Sequence, residues 1–293
     1  MISKEMYVGD TLEVTYRVSD NTYDLDAILD IQKKNEDYLN YDSDLKTIKK
    51  FTWSPPSTGE YTFNMDTESL IIKVTNLPHQ NNIQNRYIVD RDSFSDGDLI
   101  NTLSDYGHLN YPVSQTNSNN MPEYRINESS NGKSGAYFSN DVLTSNTIDD
   151  APKTGTTYVI SHVYSVNPRE YFADQGNGNH MLSMYDNPES FSHWVDDWHY
   201  SDYSVQIGEV VMVATNDSNS NSWITYNEMG TTQGNAGQPD GRLNKTRLGS
   251  RHDGNFRISD TTIFEYGRYN IELSPEDMEK IVEYAKLEYG FTF

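Results

Sequence analysis

Thr262-Ile263-Phe264-Glu265-Tyr266-Gly267-Arg268-Tyr269, then Leu273-Ser274-Pro275-Glu276-Asp277, then Val282-Glu283-Tyr284-Ala285-Lys286-Leu287-Glu288-Tyr289-Gly290-Phe291, is the stretch on which the fold turns. Thr262 to Tyr266 alternates as a strand does. Ser274 has the chemistry of an N-cap, and Pro275 suits the first helical position. Glu276 and Asp277 place acids where the helix dipole favours them. Met278, Ile281, Val282, Ala285 and Tyr289 recur at helical spacing, and Gly290 stands where a left-handed C-terminal glycine belongs. The chain therefore ends on a strand, a short link and one amphipathic helix.

Working back from that end, the sequence reads as β-rich. Hydrophobic residues make up 35% and aromatics 12%, with 22 tyrosines. Tyr suits half-buried strands, and the abundant Asn, Asp, Ser, Thr and Gly suit turns. Leu12, Val14, Tyr16 and Val18 alternate with Glu13, Thr15 and Arg17. Ala27–Ile31, Phe51–Trp53, Tyr61–Phe63 and Ser69–Thr75 supply further strand candidates, and the polar run 35–50 reads as a hairpin arm or a helical excursion. Pro55-Pro56-Ser57-Thr58-Gly59 followed by Tyr61-Thr62-Phe63 resembles an immunoglobulin-like turn and strand. This sets an expected Ig-like β-sandwich over 1–80. Leu77-Pro78-His79-Gln80-Asn81-Asn82 lacks periodicity and reads as the boundary, and the second domain spans 85–293.

The closing strand and helix resemble those of concanavalin A-like (laminin-G-like) jelly-roll domains. Further pieces match in order: Asp96-Gly97-Asp98-Leu99-Ile100, Leu103-Ser104-Asp105-Tyr106-Gly107, Met121-Pro122-Glu123-Tyr124, Asn131-Gly132-Lys133, Ala136-Tyr137-Phe138, 156–163 and Leu248-Gly249. The family's usual Trp before the Asp of the second piece is replaced by Leu103-Ser104. The resemblance covers about 200 residues. It implies an all-β fold: an N-terminal Ig-like sandwich, then two antiparallel sheets packed face to face, with one C-terminal helix.

Charge narrows the partners. The chain has 44 acidic and 22 basic residues, a net charge of −22. Phosphate contacts need Lys and Arg, so nucleic acid is excluded as an expected partner. An anionic membrane surface is disfavoured for the same reason. Strong negative charge keeps a virion or secreted protein soluble, and it also suits a molar-salt habitat, where the Debye length falls to about 3 Å. There is no cysteine, hence no disulfide or thiolate zinc site. Met1-Ile2-Ser3-Lys4-Glu5-Met6-Tyr7 lacks the apolar core of a signal peptide, and no apolar run reaches the ~18 residues of a membrane span.

Some relatives of the fold hydrolyse glycosides with two carboxylates across the bond. No strand spells such a pair. Glu276-Asp277-Met278-Glu279 lies on the terminal helix, and Asp196-Asp197 are adjacent. Arg242, Arg247, Arg251, Arg257 and Arg268 read as local charge balance. No Gly-x-Ser-x-Gly elbow is present. The expectation is therefore no catalytic residues and no enzyme.

Phe191-Ser192-His193-Trp194-Val195-Asp196-Asp197-Trp198-His199-Tyr200 is the most aromatic stretch. Sugar C–H faces pack on aromatic planes, and their hydroxyls need carboxylate or amide partners. Trp194, Trp198, Tyr200, Asp197 and His199 are the candidate ligand-binding residues, with Tyr203 as an extension. Core roles for Trp194 and Trp198 compete with this reading, and His193 and His199 also read as ordinary surface or loop imidazoles. Asp174-Gln175-Gly176-Asn177-Gly178-Asn179 alternates oxygen ligands with glycines. Asp174, Asn177 and Asn179 are thus candidate calcium ligands, although the segment lacks an EF-hand's closing Glu and also reads as a plain hairpin turn. Asn127, Asn216 and Asn244 head glycosylation-type sequons of the kind chance supplies in so Asn-rich a chain.

Together these features set the expected function: a non-catalytic virion surface protein, a capsid decoration, turret or tail adhesin. Its first domain would dock on viral capsid or tail proteins, and its second would bind a host-surface glycan or glycoprotein. Copies in a homo-oligomer would add avidity. A purely structural capsid spacer and a glycoside hydrolase of the same fold are the alternatives.

Overall fold

A computed structural model describes residues 77–146, 153–166, 170–175, 180–186, 189–204, 206–216, 221–237, 245–251, 257–258 and 260–293, together with the backbone of seven strands before them. The chain divides into two compact units, Met1–Leu77 and Pro78–Phe293.

The first unit contains β1 (Ile2–Tyr7), β2 (Leu12–Arg17), β3 (Asp30–Ile31), β4 (Asn40–Tyr41), β5 (Ile48–Trp53), β6 (Gly59–Met65) and β7 (Glu68–Thr75). One sheet runs β1-β7-β6-β3, with β1 parallel to β7. The other runs β2-β5-β4. The alternating run from Leu12 is β2, and the Gly59 turn opens β6, which pairs antiparallel with β7. The polar run 35–50 contributes β4 and the start of β5 rather than a helix among its described residues.

The second unit is an all-β sandwich closed by one helix. Its strands are β8 (Ile83–Ile88), β9 (Thr102–Leu103), β10 (Val113–Ser114), β11 (Glu123–Arg125), β12 (Gly135–Phe138), β13 (Leu143–Ser145), β14 (Gly155–Val163), β15 (Glu170–Gln175), β16 (His180–Asp186), β17 (Glu189–Trp194), β18 (Trp198–Ser204), β19 (Gly208–Asn216), β20 (Asn221–Tyr226), β21 (Gly230–Asn235), β22 (Thr246–Leu248) and β23 (Thr261–Tyr269). Sheet I runs β18-β17-β16-β15-β22-β13-β10-β9. Sheet II runs β11-β12-β23-β14-β19-β20-β21, and β8 also pairs with β23. Every pairing in both sheets is antiparallel. Between the sheets lie Leu103, Leu143, Phe172, Leu182, Met184 and Phe191 of sheet I against Phe138, Val159, Val210, Met212, Ile224, Tyr226 and Tyr266 of sheet II. Several antiparallel neighbours, such as β14 and β19, β12 and β23, and β15 and β22, are far apart in sequence, so the chain crosses between the two sheets along its course.

Helix α1 (Pro275–Tyr289) has the ends its sequence specifies. The Asp277 N–H donates to Ser274 Oγ at 3.2 Å, and Gly290, at φ 73°, closes the helix through its N–H to Lys286 O at 3.0 Å. The Asn131-Gly132 turn holds the other side of that end. Asn131 Nδ2 donates to Leu287 O and Glu288 O, and Lys133 pairs with Glu288 at 3.2 Å. Met278, Ile281, Val282, Tyr284, Ala285 and Tyr289 are buried, and α1 packs on β19 and β20. The helix thus covers the outer face of sheet II, which explains why all nine residues of β23 are buried rather than alternate ones. Replacing Ser274 by alanine removes the cap and is expected to cost about 1 kcal/mol in urea denaturation.

Under α1 lies a polar knot. Glu265 is fully buried on β23 and accepts from Arg86 Nε (2.7 Å) and Tyr158 OH (2.5 Å) at Oε1, and from Tyr284 OH (2.8 Å) and Tyr289 OH (2.7 Å) at Oε2. Burial alone would raise the Glu265 pKa. The Arg86 charge and the bonds from Arg86, Tyr158 and Tyr289 outweigh it and hold the carboxyl below its ordinary value. Asp105, in the Leu103–Gly107 piece, organises the neighbouring loop by accepting from the backbone N–H groups of Arg86, Gly107 and Tyr111 and from Asn85 Nδ2.

Candidate functional site

Sheet II is capped by the helix, whereas the outer face of sheet I is buried at β15 and partly exposed at β17 and β18. Its pairings set out two cross-strand rows. One runs Trp198, Trp194, Met181, Asp174, Arg247, from β18 across to β22. The other runs Tyr200, Ser192, Ser183, Tyr171, from β18 to β15. Side chains alternate along strands, and Leu182, Met184 and Phe191 face the core, so both rows stand on the outer face. A bulge between Tyr171 and Ala173 keeps Tyr171 and Asp174 on that same face.

The stretch 191–200 is a β-hairpin, not a loop. Trp194 and Trp198 pair directly across it, with ring centroids 4.9 Å apart at 60°. Trp198 stacks on Tyr200 at 6.2 Å. Ser183 and Ser192 are fully buried and bonded to each other at 2.7 Å. Being small, they form a low floor between the large rings, and Trp198 comes within 6.4 Å of Tyr171 across it. Tyr171 and Met181 are buried, while Trp194, Trp198 and Tyr200 are partly exposed. Neither Trp194 nor Trp198 faces the sandwich core.

The hairpin tip is held from beneath. The N–H groups of Asp196 and Asp197 both donate to Ala236 O at 2.8 Å, and the Trp198 N–H donates to Asp197 Oδ1 at 2.7 Å. Gly237, at φ +81°, lies so close that a Cβ there would stand 2.6 Å from Asp196 Cβ. Both tip carboxylates are exposed beside the aromatic rings.

His199 requires a correction, because it does not share the face of Trp198 and Tyr200. The same alternation turns it, with His193, into the sandwich, and both are buried rather than surface imidazoles. His199 Nδ1 is 2.8 Å from Ser222 Oγ, and its ring fills the space a side chain at Gly234 would need. Tyr203 also turns inward and packs against the core. Burial lowers the His199 pKa to about 4, against a small opposing pull from Asp202. The unfolded chain, with an ordinary histidine near 6.5, therefore binds a proton before the fold does. Stability is full above pH 6.5 and falls as the pH drops towards 4, by up to about 3 kcal/mol. Thermal melts across that range should show the slope, and His199→Asn should flatten it.

Asp174 lies on the outer face but is fully buried, with Met181 and Arg247 as its cross-strand neighbours. Alone it would fall well short of the six to eight oxygen ligands that calcium takes. Asn177 and Asn179 lie outside the described residues, and no group of three His, Asp or Glu placed to hold a metal occurs among the described ones. Of the arginines read as charge balance, Arg268 is a buried interior residue that donates to Gln175 Oε1 at 3.2 Å. Asn216 of the sequons is fully buried. No helix among the described residues is long and apolar enough to cross a membrane.

No family model and no curated protein matches the chain. Solved structures do. The receptor binding domain of botulinum neurotoxin C/D mosaic serotype aligns with TM-score 0.52 and 10% identity, over 70% of this chain and 51% of that one. The ligand binding domain of botulinum neurotoxin serotype D, solved with N-acetylneuraminic acid, aligns with TM-score 0.50 and 12% identity, over 70% and 51%. Domain 4 of AbnA, a GH43 extracellular arabinanase from Geobacillus stearothermophilus, solved with arabinotriose, aligns with TM-score 0.50 and 12% identity, over 69% and 98%. The chain spans about half the length of the toxin domains and nearly all of the arabinanase domain. The likeness is one of fold, and it is consistent with the concanavalin-like sandwich the sequence resembles.

Proposed function

We propose that the second unit is a non-catalytic carbohydrate-binding domain and that the outer face of sheet I is its binding face. The observation that carries this is the partly exposed group of Trp194, Trp198 and Tyr200 standing over the Ser183–Ser192 floor, with Asp197 fixed beside it. Rings of this kind meet sugar C–H faces, and a held carboxylate accepts from hydroxyls. The sugar ligands in the two similar structures, arabinotriose and N-acetylneuraminic acid, support the class of ligand without fixing its identity.

The non-catalytic part rests on the sequence, where no strand spells the pair of carboxylates that glycoside hydrolysis needs about 5–9.5 Å apart. Asp174, the one carboxylate in the two rows, is fully buried. Within this reading the first unit, taken as an Ig-like module, docks the protein on a viral capsid or tail, and several copies present the second unit to a host glycan or glycoprotein. The net charge of −22 fits a particle surface that must stay dispersed, in high salt included.

The test is a glycan array probed with the full chain at low and at molar salt, with and without calcium, since Asp174 begins the oxygen-rich run 174–179. Saturable binding to a glycan is the expected result. No binding in any condition by a folded protein would remove the carbohydrate reading and leave a structural spacer.

A further inference from the structure

We infer, on the basis of that carbohydrate reading, that the aromatic face selects uncharged glycans and rejects sialylated, sulfated and uronic ones. Three exposed carboxylates border the rings. Asp196 and Asp197 stand at the hairpin tip next to Trp194 and Trp198. Asp202, two residues beyond Tyr200 on the same strand, is exposed as well. Their positions are fixed from behind: the tip by Ala236 O, which takes both aspartate N–H groups, and Asp202 by its N–H to Thr232 Oγ1 at 3.2 Å. The Asp197 carboxylate is held as well, through the Trp198 N–H that donates to its Oδ1 at 2.7 Å.

Compensating cations lie far off. Along the row from Trp198 the first basic residue among the described ones is Arg247, four strands away and directly beside Asp174. Four strand spacings come to about 19 Å, more than twice the ~8 Å Debye length at physiological salt. An acidic group on a sugar seated on Trp198 would therefore meet three like charges at close range, and no opposite one nearer than Arg247 among the described residues of that row. Several like charges at 5–8 Å in water lower affinity by about 10-fold. A neutral pyranose or furanose meets no such penalty, and its hydroxyls gain the same carboxylates as acceptors.

The experiment uses the full chain and matched pairs: the best-bound neutral oligosaccharide from the array, and the same oligosaccharide carrying one sialic acid or one sulfate. Titration calorimetry at 0.15 M and 1 M salt should give about 10-fold tighter binding of the neutral partner at the lower salt. The gap should narrow at the higher salt, and also in the Asp196→Asn/Asp202→Asn double variant. Equal or tighter binding of the acidic partner by the unmodified protein would overturn the inference while leaving the carbohydrate function in place. A gap unchanged in the double variant would overturn the assignment to these aspartates. Failure of every glycan to bind would instead strike the function itself, and the inference with it.

Discussion

Glu265→Ala should lower the stability of the second unit by about 3–5 kcal/mol, the range found when one partner of a buried ion pair is removed. The alanine leaves the Arg86 guanidinium, also buried, without the carboxylate its Nε meets at 2.7 Å. It also takes away the acceptor from the hydroxyls of Tyr158, Tyr284 and Tyr289. Each phenol left unsatisfied in a dry interior adds its own cost. Urea denaturation followed by the unfolding signal of the sandwich measures the loss. Glu265→Gln keeps the shape and two lone pairs but not the charge, so it should cost less than alanine. Arg86→Met combined with Glu265→Ala should cost less than the sum of the singles, because the second change no longer strands a charge. Additive losses would mean that Arg86 and Glu265 act independently. The pH dependence follows from the same bonds. The carboxyl is held below its ordinary value, so its contribution is complete above the unfolded value and is lost only as the pH falls towards the folded one. Histidine and glutamate thus weaken the fold in succession, His199 first and Glu265 at lower pH.

That knot also shows where the sequence stopped being readable. The strand 261–269 and the helix after it are local structures, and their signals are local: alternation, Ser274, Pro275 and Gly290. Both were legible, to the capping bond. What Glu265 does was not, because its partners lie 179 residues upstream at Arg86 and 107 residues upstream at Tyr158. On β8 the same problem hid a whole strand. Gln84, Asn85 and Arg86 look like loop residues beside the boundary, yet Asn85 and Arg86 are buried because Asp105 and Glu265 satisfy them. The 191–200 stretch is a different case. Its rings do come together in the structure, and they do so on a hairpin. Period-2 counting from Phe191 already puts Phe191 and His193 on one face and Ser192 and Trp194 on the other. Carried across the Val195–Asp197 turn, it separates His199 from Trp198 and Tyr200. The signal that removes His199 from the binding set was therefore present in the sequence.

Trp198→Ala is expected to weaken binding of the array-selected neutral glycan by about 2–3 kcal/mol, roughly 30- to 150-fold in Kd, as loss of a central aromatic anchor does. Trp198 is the ring that touches most of the others. It meets Trp194 edge to face, stacks near Tyr200, and reaches Tyr171 over the serine floor. Removing it takes away its own contact area and the support that holds Trp194 and Tyr200 upright. Trp194→Ala should follow with a smaller loss, since Trp194 keeps Met181 as its other cross-strand neighbour. The fold itself should tolerate either change, because both rings stand outside the core between the sheets. Circular dichroism and the melting midpoint check that point independently of binding. A control on the opposite side of the same strand sharpens it. His199→Asn perturbs the buried face at Ser222 and Gly234, so it should move the melting midpoint and its pH slope but leave Kd near its original value at pH 8. The two variants should then separate cleanly, with Trp198→Ala losing affinity at unchanged stability and His199→Asn changing stability at unchanged affinity. The reverse pattern would place the ligand on the inner face of β18, which the buried serine floor and the packing against β20 and β21 argue against.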